Sequence, residues 1–257
     1  MFEPLSDALI AGAALRSRQS VLDVAAGTGE PSLRIAEVCG PSTRVTCTDP
    51  VAEMIAVAKR EAARRSLRNV AFARCAAGAL PFRSACFDAV VCRLGAMFFA
   101  DPIASLREML RVLEPGGALA LAVWHAIESN PFFQVPLQVV ARYVELPVSA
   151  PDAPGAFRYA EQGKLAGLVA QAGAAAVCER VRPFPLEAPV ARKDFWPLRV
   201  DMSETLRGLV PRLSSRQLRL VRSEVEEAIR PYFPEDRMSF PAEGIIVTAR
   251  CSELTTR

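Results

Sequence analysis

Histidine is nearly absent from this chain, since His125 is the only one among 257 residues. The cysteines are odd in number and contain no C-x-x-C pair. Both features argue against a metal site, which needs clustered histidines or cysteines, so we expect no bound metal. They also predict reduced, buried cysteines, as in a cytoplasmic protein. The seven are Cys39, Cys47, Cys75, Cys86, Cys92, Cys178 and Cys251.

Long apolar runs and strong charge are lacking as well. No uninterrupted apolar stretch reaches the roughly 18 residues of a membrane-spanning helix, so no span is predicted. The first residues include Glu3 and Asp7 and lack a basic segment, so no secretory signal is expected. The net charge of +3 is too small to indicate a nucleic-acid partner. A hydrophobic content of 51% is ample for one sizeable core.

The segment from Val21 to Glu30 is the most informative part of the sequence. Val21–Val24 is mostly apolar and predicts a buried strand, and glycines at 27 and 29 predict a tight turn before a helix. Such a turn brings a ligand close to backbone N–H groups at the positive end of the helix. Nicotinamide enzymes use a G-x-G-x-x-G turn, but here Ser32 occupies the third glycine position. Asp23 would repel a pyrophosphate and suits a cationic ammonium or sulfonium ligand.

Strand and helix patterns alternate along the first half of the chain and return near its end. The alternation predicts an α/β fold, a doubly wound, mostly parallel sheet with helices on both faces. Ligands of such folds bind beyond the carboxyl ends of the strands. The predicted strands are 21–24, 44–48, 70–75, 87–93, 118–124, 176–181 and 244–251. The predicted helices are 5–16, 33–38, 51–66, 102–113, 132–143, 159–173, 192–209 and 214–230, with a proline-broken segment at 183–197.

Three motifs carry a resemblance to a known family. They are D-x-x-x-G-x-G at residues 23–29, Leu80-Pro81-Phe82, and F-D-x-V beginning at Phe87. In these motifs the chain resembles the class I S-adenosyl-methionine-dependent methyltransferases, in particular the ubiquinone/menaquinone type that acts on small molecules. The resemblance implies a Rossmann-like sheet of seven strands, with an antiparallel last strand between the fifth and the sixth. It also implies S-adenosyl-methionine as cofactor.

The cofactor site implied by this resemblance lies at the carboxyl ends of the first four strands. Asp49 lies 20 residues after Gly29, at a strand end where a carboxylate can accept both hydroxyls of a ribose. Ala76 departs from the family, which has an acidic or amide residue there, and this predicts weaker adenine recognition by about 1 kcal/mol. The candidate residues are Asp23, Ala25, Gly27, Thr28, Gly29, Asp49, Pro50, Met54, Ala76, Ala77, Arg93 and Leu94.

The sequence indicates the binding site of the methyl acceptor less clearly than that of the cofactor. His125, directly after the fifth strand, is the candidate general base, because histidine titrates near neutral pH. An apolar or aromatic acceptor pocket is assigned to Phe98, Phe99, Trp124, Phe132 and Phe133. We expect a single methyltransferase domain over 1–257, with its core at 19–125, 159–182 and 239–251. The segments 126–158 and 183–238 are then insertions that cover the substrate.

Other functions stay open at this point. A methyltransferase-fold protein could bind the cofactor and catalyse a non-methylating reaction, or only bind its ligand. A nicotinamide oxidoreductase is opposed by Asp23, and a nucleic-acid binder by the mild charge. The stretch Cys92-Arg93-Leu94-Gly95 lacks the D/N/S-P-P-Y/F motif of enzymes that methylate nucleobase amino groups. The sequence does not choose among oxygen, nitrogen, carbon and sulfur acceptors, and it leaves a homo-oligomer open.

Overall fold

The computed structural model describes residues 1–147, 150 and 152–252. These residues form the following elements. The strands are β1 Ser20–Val24, β2 Arg44–Asp49, β3 Val70–Arg74, β4 Phe87–Arg93, β5 Leu113–Trp124, β6 Ala175–Ala188 and β7 Met238–Arg250. The α-helices are α1 Glu3–Gly12, α2 Ser32–Val38, α3 Ala52–Arg64, α4 Pro102–Val112, α5 Pro131–Val140, α6 Lys164–Gln171, α7 Arg192–Asp201, α8 Glu204–Leu209 and α9 Ser215–Ala228.

The strands form one sheet in the order β3-β2-β1-β4-β5-β7-β6. Strands β1 to β5 pair in parallel, and β7 runs antiparallel to β5. The predicted fold class, a doubly wound Rossmann-like sheet with an antiparallel last strand, is confirmed. The strand order reverses between β1 and β4, and a ligand crevice forms at such a point, outside the carboxyl ends of the strands.

Two compact units divide the described chain. The larger comprises Phe2–His125, Pro154–Arg182 and the chain from Gly244 onward, and it holds the first five strands. The smaller comprises Ala126–Ala153 and Pro183–Glu243, together with Met1. The predicted insertions 126–158 and 183–238 fall largely in the smaller unit. Their role as a substrate cover stays a prediction.

The sequence prediction was wrong at two proline-containing segments, which belong to β6 and β5. The segment 183–197 was predicted to be broken, but β6 continues through Pro183 and Pro185 to Ala188. β6 is the last strand of the sheet, and an edge strand tolerates proline because the missing N–H removes no ladder bond on the solvent side. β5 likewise begins at Leu113, before Pro115 and five residues before the predicted start at 118.

Several element boundaries also differ from the prediction. The helix predicted for 192–209 is two helices, because the Ser203 hydroxyl accepts the Leu206 N–H and starts α8. α6 begins only at Lys164 and α1 ends at Gly12, so both are shorter than predicted. β7 begins at Met238, six residues before the predicted start at 244.

The core of the smaller unit is aromatic. The Phe132 ring packs edge-on against Phe195 and Phe240, and Phe195 in turn packs edge-on against Phe233. Edge-to-face pairs place a positive ring edge on a negative ring face, which adds to the stabilisation from burial. We name Phe132, Phe195, Phe233 and Phe240 the aromatic cluster.

The cysteines were predicted to be reduced and buried. All seven are free thiols, but only Cys47 and Cys92 are buried, and Cys178 is exposed. The burial prediction was therefore wrong for the other five. Among the described residues, no helix is both long and apolar enough to cross a membrane.

Candidate active site

The glycine turn after β1 forms the floor of the candidate site. Ala25, Gly27 and Gly29 all have positive φ angles, of 56°, 56° and 111°. A Cβ at Gly29 would lie 3.1 Å from the Ala58 Cβ in α3, so this glycine lets α3 pack closely on the turn. A Cβ at Gly27 would meet no atom within 4 Å, so the turn has open space at this point. The turn is therefore packed on one side and open on the other, as a ligand cradle requires.

Asp23 lies at the end of β1 and is completely buried. Its Oδ2 accepts the Ser32 N–H at 2.8 Å and the Ser32 hydroxyl at 2.6 Å. Its Oδ1 has no hydrogen-bond partner among the described residues. An unpaired buried carboxylate oxygen is costly, and a donor from a bound ligand would satisfy it.

Burial has a strong effect on the protonation of Asp23. Desolvation raises the pKa of this carboxyl from 3.8 to about 7, although the Ser32 hydrogen bond and the charge of Arg93 lower it. A carboxyl with such a pKa exists in both protonation states near neutral pH. A cationic ligand would favour the ionised form and would thereby release a proton.

Asp49 ends β2 beside the glycine turn. Its Oδ2 accepts the Gly27 N–H and its Oδ1 accepts the Val51 N–H, both at 2.9 Å. The carboxylate therefore fixes the turn and the start of the α3 segment. Each carboxylate oxygen has a second lone pair, so Asp49 can still accept hydroxyl groups.

The end of β4 lies against the turn after β1. Leu94 has a positive φ of 60°, and non-glycine residues in this region are strained. A Cβ at Gly95 would lie 2.6 Å from the Ala25 Cβ and 2.9 Å from the Cys92 Sγ. Gly95 was not predicted to be a site residue, yet its lack of a side chain allows the two turns to meet.

Gly95→Ala should disrupt this contact. We expect a loss of stability of about 1–3 kcal/mol from overpacking, together with weaker cofactor binding, because Ala25 must move. Thermal melting and calorimetric titration measure the two effects. Gly167→Ala is the matched control, since Gly167 lies in α6 and its Cβ would meet nothing within 4 Å. A Gly95→Ala protein that melts and binds like the wild type would contradict the packing of the two turns.

The N-terminal helix covers the end of β4. The Arg93 Nη1 donates to the Ser6 Oγ at 2.7 Å and to the Phe2 carbonyl at 3.3 Å. The Phe2 ring also packs edge-on against Trp124 at 5.7 Å. Arg93 therefore anchors α1, and Trp124 is buried beneath Phe2 within the larger unit. Their roles toward cofactor and acceptor stay predictions.

The remaining cofactor candidates lie on the same edge of the sheet. Ala76 and Ala77 follow β3, and Ala76 is exposed, with its carbonyl accepting the Ala79 N–H at 3.1 Å. Thr28 and Pro50 are exposed in the turns after β1 and β2, and Met54 is 40% exposed in the first turn of α3. The fold brings all twelve candidates to the carboxyl ends of β1 to β4, while their individual cofactor contacts stay predictions.

The acceptor candidates fall into both units. His125 directly follows β5, while Phe98 is 56% exposed and Phe99 is buried near the end of β4. Phe132 is completely buried in the aromatic cluster, and Phe133 packs edge-on against it. Phe132 thus packs in the core of the smaller unit, and the predicted pocket role of these side chains stays a prediction.

Ser32 is, after Gly95, the second residue of the candidate site that the sequence did not reveal. It was noted only as the residue that replaces a glycine of the nicotinamide motif. Its N–H and hydroxyl instead hold the Asp23 carboxylate at the start of α2. The spacing of nine residues between an aspartate and a serine across a turn was the available signal.

Comparison with known proteins agrees with this arrangement. Residues 21–117 match the family model of a methyltransferase domain. The resemblance of the chain to the class I S-adenosyl-methionine-dependent methyltransferases is thereby confirmed, and the cofactor of that class is S-adenosyl-methionine.

The relatives include the ubiquinone/menaquinone type. The chain is 37% identical over 111 residues to the ubiquinone/menaquinone biosynthesis C-methyltransferase UbiE of Cellvibrio japonicus, covering 43% of this chain and 45% of that protein. It is 40% identical over 114 residues to a demethylmenaquinone methyltransferase of Deinococcus radiodurans, covering 44% and 46%. The match thus spans less than half of either relative.

A solved structure extends the likeness of the fold to the whole chain. The YcgJ protein of Bacillus subtilis superposes with a TM-score of 0.63 at 19% identity, covering 98% of this chain and 99% of that one. At this identity the likeness concerns the fold alone.

The residues present fit S-adenosyl-methionine. The unpaired Asp23 Oδ1 suits the ammonium or sulfonium group of the cofactor, and the Asp49 carboxylate suits ribose hydroxyls. The open space at Gly27 leaves the backbone of the turn accessible. Ala76 itself has no side-chain acceptor for the adenine amino group, so backbone groups at 76–77 are the candidates for adenine recognition there.

Proposed function

We propose that this protein transfers a methyl group from S-adenosyl-methionine to a small molecule with an aromatic or apolar acceptor region. The observation that carries the proposal is the buried Asp23 carboxylate with its unpaired Oδ1, next to a glycine turn at the reversal point of the sheet. A nicotinamide cofactor would place its diphosphate on the same turn, beside this carboxylate. A cationic donor removes that conflict.

The chemistry requires little of the protein beyond positioning. When bound, S-adenosyl-methionine would supply an already activated methyl group: the acceptor atom would bond to the methyl carbon in line as the carbon–sulfur bond breaks, and S-adenosyl-homocysteine would leave. Alignment and exclusion of water can lower the barrier by about 7–11 kcal/mol. Asp23, Asp49 and the glycine turn would hold the donor, and a base is needed only if the acceptor must lose a proton.

The names of the relatives suggest the first acceptors to test. The relatives named above are a C-methyltransferase of ubiquinone/menaquinone biosynthesis and a demethylmenaquinone methyltransferase. Quinols and phenols therefore head the acceptor panel, followed by amines. Formation of S-adenosyl-homocysteine with any of these acceptors would support the proposal. Cofactor binding without turnover on the whole panel would favour a methyltransferase-fold protein with a non-methylating role.

His125→Ala tests the proposed general base. We expect methylation of a phenolic acceptor to slow by about 10²–10⁴-fold, because the acceptor proton loses its base. The affinity for S-adenosyl-methionine should not change, since His125 follows β5 and not the glycine turn. Steady-state rates and calorimetry separate the two effects. A rate equal to that of the wild type would make His125 structural.

We also propose that the protein is cytoplasmic and that the chain forms a single methyltransferase domain. The acceptor panel decides among oxygen, nitrogen, carbon and sulfur as the methylated atom. The mass of the protein measured in solution decides whether it forms a homo-oligomer.

A further inference from the structure

A proline inside α5 explains one hydrogen bond of a buried arginine. Pro136 has no N–H and therefore cannot donate the usual helical hydrogen bond to the carbonyl of Phe132, four residues earlier. The Arg199 Nε donates to this carbonyl at 3.0 Å. One nitrogen of Arg199 thus has a structural role within the smaller unit.

The Nη1 group of the Arg199 guanidinium has no structural role of this kind. Arg199 is 2% exposed, and its Nη1 has no hydrogen-bond partner among the described residues. No carboxylate in the described part of the chain forms an ion pair with it. Burial lowers the pKa of Arg199 from 12.5 to about 10, so the side chain stays charged at neutral pH.

Two aromatic rings define the surroundings of this charge. The guanidinium carbon lies 4.4 Å from the centre of the Phe132 ring and 4.9 Å from that of Phe133. Ring faces attract the cation, but they cannot accept the N–H groups that lie in the plane of the guanidinium. A buried cation without a counter-charge is costly unless another group supplies one.

We propose that Arg199 and Phe133 form a binding site in the smaller unit for the carboxylate of an aromatic or apolar acid. The planar guanidinium presents parallel N–H donors that match a carboxylate, and the half-buried Phe133 ring matches an apolar body attached to it. A carboxylate also provides the missing counter-charge. A neutral carbonyl would satisfy the N–H groups but not the charge.

This site goes beyond the methyl-transfer proposal. That the acid is the methyl acceptor rests on the proposed function, whereas binding of the acid does not. The two are therefore tested separately: acid binding without S-adenosyl-methionine, and methyl transfer with it.

The experiment uses benzoate as probe, with benzamide and benzyl alcohol as neutral analogues of the same size. Calorimetric titration of the cofactor-free protein in low-chloride buffer measures binding. We expect benzoate to bind at least tenfold more tightly than either analogue. Arg199→Met should weaken benzoate binding at least tenfold, and Arg199→Lys should retain part of it, since lysine keeps the charge but not the fork.

Arg207→Met is the matched control, because Arg207 lies in α8 of the same unit and donates to the Asp201 carbonyl. It should bind benzoate like the wild type. Equal binding of benzoate and benzamide to the wild type, or undiminished benzoate binding by Arg199→Met, would overturn the proposal. If Arg199→Met does not fold, the comparison of the three probes on the wild type decides alone. Benzoate binding without turnover of any aromatic acid would keep this site and reject the acid as the methyl acceptor.

Discussion

Asp23→Asn is expected to weaken S-adenosyl-methionine binding by at least tenfold and to stabilise the cofactor-free protein at pH 8. The first effect follows from the loss of a buried negative charge that would face the cationic donor. The second follows from the cost of keeping this carboxyl ionised, since burial raises its pKa from 3.8 to about 7. That cost is on the order of 4 kcal/mol at most. Calorimetry and thermal melting measure the two effects.

The sign of the pH dependence is fixed by the raised pKa. Between pH 3.8 and about 7 the folded protein holds a proton that the unfolded chain has lost, so this group makes the fold less stable as pH rises. The stabilising effect of Asp23→Asn should therefore grow from pH 5 to pH 8. Cofactor affinity has the opposite trend and should rise through about pH 7, because the ionised carboxyl binds a cation.

Asp88→Asn is the control for this prediction. Asp88 lies in β4 and accepts the Ser20 N–H at 2.7 Å, at the amino end of β1 and away from the turn. It should show neither the change in affinity nor its pH dependence. An Asp23→Asn protein that binds S-adenosyl-methionine as tightly as the wild type at pH 8 would remove Asp23 from the site.

Asp49→Asn should also weaken cofactor binding by tenfold or more. The amide keeps one acceptor oxygen but turns an NH₂ group toward either the Gly27 or the Val51 N–H, which both now donate to the carboxylate. The turn is therefore disturbed, and the charge-assisted hydrogen bonds to the ribose are lost. Titration with S-adenosyl-homocysteine and with adenosine measures the effect.

Adenosine is the more discriminating of these two ligands, because it has the ribose but no cationic group. Asp49→Asn should weaken adenosine binding, while Asp23→Asn should leave it close to the wild type. An Asp49→Asn protein with unchanged affinity for both ligands would leave Asp49 with only its role in fixing the turn.

The sequence predicted the frame of the site well, because local pattern carries it. The alternation of apolar strands and helices places Asp23 and Asp49 at adjacent strand ends in a parallel sheet, and the structure agrees. The glycine spacing likewise predicted the turn. What the pattern could not reveal is the burial of Asp23, which depends on the packing of the start of α2 and of Ser32 against it.

Most of the features that the sequence did not predict depend on contacts between residues that are far apart in the chain. Gly95 matters because its backbone approaches Ala25, 70 positions earlier in the chain, and no local rule gives that distance. Arg199 reaches the Phe132 carbonyl across 67 positions. β6 passes through two prolines because it lies at the sheet edge, and its position there is a property of the complete topology.

The central claim is that the turn from Ala25 to Gly29 binds a cationic methyl donor and not a dinucleotide. Its most direct measurement is calorimetric titration of the protein with S-adenosyl-methionine and with NADH in the same buffer. The account predicts that S-adenosyl-methionine binds to a single site and that NADH does not compete for it. Binding of NADH that Asp49→Asn weakens, with no binding of S-adenosyl-methionine, would contradict it.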